Sequence, residues 1–505
     1  MKFERSTSCI SAGVAAGGLA LPRVFERLQA PVRLGWLFAV VAFADLAGGC
    51  VPSAVTPDVA LDVPAAYRAG AKQGVLEDHA TDWWSEFKSA ELTRLMEATE
   101  IANLDIAAAI GRVKQADAQA GQSGAALLPS ISANDSFTRS KSSTNALGSG
   151  ASQGGGVSAQ SQYLSSFSAS YQLDFWGKNR ANLVAAQDNA TASRWDRRTV
   201  TLTSLAATAT AYYTILATRE RIAFAKQDVV DSSHILKLIE DRQKAGTASA
   251  LDVAQQAALV ANLKASIPPL QVTEAQNIAA LGILLGVPPE RVSVAANSAM
   301  KAHVPTIAPG LPSEVLTQRP DVQYAEYQLT AEHASLVAAR AAFFPTITLT
   351  AQGGIESLAL RTLLSPASTF YSAAASLSQP IFDGGLLQGQ FDQVKGRQDE
   401  LLADYKKAVL TAFSDVDKAL AALRLFAVQE ELTRQSLVAS KKAYDLSEQR
   451  LSSGIIDVVT LLQTEQTLFT TQDSLVQVRL SRLTEAVALY QALGGAYAVK
   501  LKSGS

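Results

Sequence analysis

The chain has 505 residues, 48% of them hydrophobic and 18% charged, with a formal net charge of −2, room for two to four ordinary domains or one large elongated one. That charge balance argues against a nucleic-acid binder, which usually carries a clustered Lys/Arg excess. Two cysteines, Cys9 and Cys50, exclude a disulfide framework and a Cys-rich zinc module, and the dispersed His79, His234, His303 and His333 form no HExxH pair.

Residues 1–49 read as a secretory signal: Arg23, Arg27 and Arg33 precede an apolar run at 34–44, which is shorter than the roughly 20 residues of a spanning helix. The run ends in Leu46-Ala47-Gly48-Gly49-Cys50, and small residues before a Cys suit the narrow site of a processing peptidase. The segment resembles a bacterial lipobox, which implies that Cys50 is acylated and becomes the mature N-terminus. Val51, standing where an Asp would favour inner-membrane retention, implies the outer membrane. The other reading is a buried Cys near an ordinary cleavage site. Residues 50–85 are then a lipid-anchored N-terminal segment.

The remainder repeats itself. Leu127-Leu128-Pro129-Ser130-Ile131-Ser132 returns as Phe344-Pro345-Thr346-Ile347-Thr348, with the prolines 216 residues apart. Asp174-Phe175-Trp176-Gly177 answers Ile381-Phe382-Asp383-Gly384, with Trp176 and Phe382 separated by 206, and Gly246 answers Gly454 at 208. The drop in offset predicts a first loop ten residues longer, the Ser/Gly-rich run at 140–161. The expected organisation is a first repeat at 86–285, a linker at 286–312, a second repeat at 313–495 and a tail at 496–505.

Each copy reads as helix, strand, loop, strand, very long helix, turn, helix. Tyr163, Phe167, Tyr171, Leu173 and Phe175 alternate with Ser166, Ser168, Ser170, Gln172 and Asp174, a strand with one greasy and one polar side. Ile347, Leu349 and Ala351 alternate with threonines, and Tyr371, Ala373, Ala375, Leu377 and Ile381 with serines. The predicted strands span about 129–141, 161–176, 345–355 and 371–383, and Asp174 is expected simply to touch water. Such strands suit an outer-membrane barrel; a soluble sandwich is the alternative. No Pro or Gly occurs in 182–243, which predicts a helix of roughly 90 Å. Leu202, Leu205, Ala209, Tyr212 and Leu216, like Leu402, Tyr405, Val409, Ala412, Val416, Leu420 and Leu423, keep 3-4 spacing, the seam of helices packed closely on neighbours. Four strands cannot close a membrane barrel, since bacterial barrels begin at eight, and an open edge in lipid leaves N–H and C=O groups unpaired. Several chains must therefore share one barrel.

The sequence resembles the TolC-type outer-membrane efflux channels, in the lipoprotein branch called the NodT family. The stretches that carry the likeness are Leu311-Pro312-Ser313-Glu314-Val315-Leu316, Arg319-Pro320-Asp321-Val322, and Ala338 through Ile347 with its Phe343-Phe344-Pro345. Trp83-Trp84-Ser85-Glu86-Phe87 matches the family's entry segment, and the likeness runs over roughly 50–495. It implies an α+β membrane protein: a homotrimer sharing a 12-stranded β-barrel, four strands per chain, continued by a long periplasmic α-helical barrel with two internal repeats per chain. Expected partners are a periplasmic adaptor, an inner-membrane efflux pump of the resistance-nodulation-division class and outer-membrane lipid, with no nucleic acid, metal or cofactor. The likeness also carries the adaptor-contacting tips onto Gly246, Thr247, Gly454 and Ile455. It puts the periplasmic gate at Asp457, Val459, Thr460 and Gln463, with Asp252 the first copy's equivalent of Thr460. Thr460 and Gln463 stand where relatives often carry acidic rings, so a gate closed by hydrogen bonds and packing is expected. The bland reading of each position is ordinary helix surface or, for the glycines, a helix stop. Arg319-Pro320-Asp321 reads as a helix start, with Pro in the first turn and Asp favouring the dipole. His79 and His333 are expected at the surface.

The expected function is passive conduction of drugs or other small molecules. A lipid-anchored coiled-coil scaffold without transport, or a type I secretion duct, are the alternatives. An envelope hydrolase is the third reading, one for which no nucleophile, base or metal constellation can be assembled.

Overall fold

The computed structural model describes residues 67–68, 82–141, 159–307, 316–453 and 455–495. The predicted signal, Cys50, His79, Gly454, the stretch 308–315 and the tail lie outside the described residues.

A 3-10 turn, Trp83–Phe87, leads into α1 (Ala90–Ala102), started by Ser89, whose hydroxyl accepts from Leu92 N at 3.2 Å. Asn103 ends α1 and starts α2 (Leu104–Ala125), its Oδ1 accepting from Asp105 N and Ile106 N. The chain then forms β1 (Ser130–Ser140), β2 (Gln160–Leu173), α3 (Lys178–Lys244) and α4 (Ala250–Leu284). The second copy repeats this as α5 (Pro320–Ala341), β3 (Thr346–Ser357), β4 (Thr369–Ser378), α6 (Leu386–Ser452) and α7 (Val458–Ala492).

The duplication is written in the helix lengths. Helices α3 and α6 have 67 residues each, and α4 and α7 have 35 each. At 1.5 Å per residue the long pair reach about 100 Å. Both start after a left-handed glycine, Gly177 (φ 79°) and Gly385 (φ 89°), and these lie 208 residues apart. The first strands begin 216 apart, at Ser130 and Thr346, so the first hairpin is longer by eight residues, not ten. Trp176 and Phe382, matched by their aromatic character, stand two places out of step with the helix starts.

The predicted seams are the packing surfaces. Leu205, Ala209, Tyr212 and Leu216 are buried against Leu92, Met96, Val476, Leu483 and Tyr490, and Trp83 stacks on Tyr490 at 5.3 Å between ring centroids. Val409, Ala412, Val416 and Leu420 pack with Val322 and Leu489. A third cluster, Ile235, Ile239, Leu451, Val458 and Leu461, joins the two hairpin ends.

The strands form one antiparallel sheet in chain order β1-β2-β3-β4. Its register puts Ile131, Ala169, Ala351 and Ala373 on one row, and Tyr171, Leu349 and Ala375 on another of the same face. The opposite face carries Ser132, Ser168 and Gln352 in one row, with Thr350 and Ser170 in the next. Two predicted strands stop early. Strand β2 ends at Leu173 because Asp174 turns to start α3: its carboxylate accepts from Asn179 N at 2.8 Å, from Arg180 N at 2.9 Å and from Arg180 Nε at 3.1 Å. Asp174 is therefore a helix-starting residue with a 9% exposed side chain, not a water-facing strand residue. Strand β4 likewise ends at Ser378, and Asp383 accepts from Gly385 N and Leu387 N ahead of α6. His333 is half-buried, its ring bonded to Gln398 at 3.1 Å.

Candidate channel surfaces and entrance

Three features bear on conduction: the two-faced sheet, the hairpin tips and the helix starts just beyond them. On the sheet, Ile131, Phe137, Phe167, Tyr371 and Leu377 are all more than half exposed, Tyr371 at 90%. Water gives such a face no partner, whereas lipid does. The polar face is instead tied to itself. Ser132 and Ser168 hydroxyls meet at 2.8 Å, Gln352 Nε2 donates to Ser166 Oγ at 3.2 Å, and Gln162 Nε2 donates to Glu356 at 2.6 Å. The outer edges of β1 and β4 have no strand partner among the described residues.

The described residues of the two tips carry the same closing bond. Thr247 N donates to Arg242 O and Ile455 N to Arg450 O, each at 2.9 Å, the six-to-one bond that closes a helix end around a left-handed residue. Gly246 supplies that residue in the first copy, at φ 77° with open space about it. Gly246, Thr247 and Ile455 are exposed, Ile455 at 70%. Arg242 donates to Leu451 O at 2.7 Å and Ser452 O at 3.3 Å, fastening one tip to the other.

Of the predicted gate residues, Val459, Thr460 and Gln463 lie exposed along one face of α7, while Val458, Leu461 and Leu468 turn inward. The two carboxylates also cap the helix starts. Asp457 accepts from Thr460 N at 2.9 Å and from Thr460 Oγ1 at 2.5 Å. Those hydrogen bonds from Thr460 hold its carboxyl below the usual carboxylate range. Asp252 accepts from Ser249 N at 2.8 Å while Ser249 Oγ accepts from Asp252 N at 3.2 Å, a capping box. The two copies use the same pair of positions with acid and hydroxyl exchanged. The S/T/D-x-x-D/T spacing was present in the sequence as the signal for it.

Sequence reasoning missed the buried polar groups. Arg319, 8% exposed, holds Asp321 at 2.7 Å, Asp415 at 3.2 Å and Ala492 O at 3.3 Å, beyond the helix start expected of its motif. Glu430, 2% exposed, receives Arg479 and Arg482, both at 2.9 Å, and Arg434 at 3.1 Å. Burial would raise its carboxyl, but Arg482 and Arg479 outweigh that and hold it low. Nearer the tips, Glu465 is fully buried against Ser232 and Gln256. Among the described residues, no group of three or more His, Cys, Asp or Glu side chains could hold a metal ion.

The family model described as "Outer membrane efflux protein" matches residues 95–287 and 311–495. The pyoverdine export outer membrane protein OpmQ of Pseudomonas aeruginosa is 36% identical over 452 residues, 90% of this chain and 95% of the relative. The toluene efflux pump outer membrane protein TtgC of Pseudomonas putida is 32% identical, over 91% of this chain and 95% of the relative. Among solved structures, a membrane protein from Pseudomonas aeruginosa superposes with a TM-score of 0.78 at 27% identity, covering 89% of this chain and 100% of that one. The Campylobacter jejuni CmeC outer membrane channel gives 0.80 at 23% identity, covering 88% and 95%, a likeness of fold.

Proposed function

This chain belongs to the outer membrane efflux protein family, and we propose that it is the outer-membrane duct of a tripartite efflux pump, built as a homotrimer. Three four-stranded sheets would close one 12-stranded barrel, pairing the free edges of β1 and β4 between chains. The single observation that carries the reading is the two-faced sheet, greasy and exposed on one side, hydroxyl-rich and self-bonded on the other. A soluble scaffold would leave that greasy face in water.

Cys50 would carry the lipid anchor, and Gly246, Thr247, Gly454 and Ile455 would meet a periplasmic adaptor. The chain would do no covalent chemistry; an inner-membrane pump would supply the energy and choose the substrate. Val459, Thr460 and Gln463 would narrow the entrance, with Asp457 and Asp252 fixing the helix starts behind them. Relatives are named for pyoverdine export and toluene efflux, and small molecules are the cargo proposed for this chain.

Planar-bilayer conductance of detergent-extracted protein tests this, comparing wild type with Gln463→Ala. Small, mostly closed currents that grow in the variant are expected. No current from protein that stays monomeric and soluble without detergent would overturn the reading. Steady large currents in both would move the gate elsewhere.

A further inference from the structure

The seam that closes the tips is apolar at its end and changes character one turn higher. On α7 the inward row runs Val458, Leu461, Glu465, Leu468, and on α3 it runs Asp228, Ser232, Ile235, Ile239. Glu465, Ser232 and the facing Gln256 of α4 are each 0% exposed within a single chain, so their burial does not depend on assembly. Ser232 Oγ bonds Glu465 Oε1, and Gln256 Nε2 reaches Ser232 O at 3.1 Å and Glu465 Oε2 at 3.3 Å. One carboxyl thus joins three helices.

Two observations make this carboxyl unusual. It has no counter-ion: among the described residues, no Lys, Arg or His pairs with it. The ionisable groups that act on it are Asp231 on α3 and Glu448 on α6, and Asp228 on α3 and Tyr444 on α6 feel its charge in turn. A buried charge among like charges is costly. Gln256 Oε1 is also buried with no partner, so the junction has no donor to spare. A proton on the carboxyl would remove the buried charge. A metal ion is not supported, since no suitable ligand group exists among the described residues.

We propose that the Ser232–Gln256–Glu465 junction is a proton-operated latch behind the periplasmic entrance: the neutral carboxyl locks α3, α4 and α7 together, and loss of its proton loosens them and favours opening. The proposal rests on the channel reading. Burial raises the Glu465 carboxyl above its ordinary value, and burial together with Asp231 and Glu465 pushes Asp228 up to about 7. The stabilisation from both groups is therefore complete below the ordinary carboxyl range and fades as pH rises through these raised values.

The test is open probability in planar bilayers from about pH 5.5 to 8.5, with amide-exchange protection of residues 455–470 measured on the same protein. In wild type the open-to-closed ratio should rise with pH, by up to about tenfold per unit for a one-proton step, and protection should fall in parallel. Glu465→Gln should lose most of this rise and stay more protected than wild type at the upper end, keeping only the part that Asp228 contributes. Ser232→Ala removes a donor to the charged form and should move the midpoint to higher pH; it carries the test if Glu465→Gln fails to insert. A Glu465→Gln profile that tracks wild type, an unmoved Ser232→Ala midpoint, or protection independent of pH overturns the latch. Absence of conductance in every variant overturns the channel reading, and the exchange data then decide the latch alone.

Discussion

Gly353 and Gly354 are neighbours on β3 with opposite surroundings, and they predict opposite outcomes for the same substitution. A Cβ at Gly354 would sit 2.1 Å from Ser165 O and 2.7 Å from Ser166 Cα, both backbone atoms of β2. Restoring ordinary contact needs the strands to part by about 1.3 Å. Strands held by paired ladder bonds cannot part locally without weakening those beside them. Two such bonds at about 1 kcal/mol each, plus about 1–3 kcal/mol for overpacking, give a loss of about 3–5 kcal/mol per chain for Gly354→Ala. At Gly353 the nearest atoms are Phe370 O at 3.7 Å and Tyr371 Cβ at 3.9 Å, which is ordinary contact. Gly353→Ala should be neutral, or stabilising by about 0.4–1 kcal/mol through the unfolded chain. The assay is the temperature at which the folded form is lost, with the amount of inserted protein as a second readout. Even 3 kcal/mol is a change of about a hundredfold in an equilibrium constant, so the two variants should separate cleanly. Equal melting and equal insertion would refute the register and the close approach of β2 to β3.

Three further outcomes follow from the same geometry. Asp174→Ala should destabilise the start of α3 by about 1–2 kcal/mol, read as lost amide protection at Asn179 and Arg180, whose N–H groups it accepts. Asp457→Ala should fray the first turn of α7 and raise channel opening, while the double change Asp457→Ser with Thr460→Asp, copying Ser249 and Asp252 of the first repeat, should restore both protection and closure. Glu430 has a depressed carboxyl among its arginines, so its stabilisation is present above the ordinary 4.5 and is lost as pH falls through the lower folded value. The gap in melting temperature between wild type and Glu430→Gln should therefore shrink below about pH 4, opposite in sign to the behaviour expected at Glu465.

Much of the fold was legible because its signals are local. Alternation in Tyr163–Leu173, the 3-4 seam of Leu205 to Leu216, and an absence of breakers across α3 each depend on near neighbours along the chain. The misreadings came where a local pattern ran past its physical end. Period two continued through Asp174 although the chain was already turning into a helix, and the aligned aromatics Trp176 and Phe382 hid the two-residue shift that Gly177 and Gly385 reveal. Glu465 was invisible for a different reason. In a helix rich in Thr and Gln it reads as one more polar position, and its partners Ser232 and Gln256 are 233 and 209 residues away. Arg319 was read only as part of a helix start because Asp415 and Ala492 lie 96 and 173 residues off. Burial of a charged side chain is a tertiary fact.

The equal lengths of α3 and α6, fastened together where Arg242 meets Leu451 and Ser452, constrain how such a chain can change over time. A heptad gained by one arm alone would displace its end by about 10 Å, slide Ile235 and Ile239 out of step with Val458 and Leu461, and leave one hairpin projecting beyond the other. Growth or shortening is therefore accepted only as a matched event in all four arms, two descending and two returning. Selection acts on the pair of repeats as on two legs of one stand, where a single unmatched insertion is felt before any residue at the rim is altered.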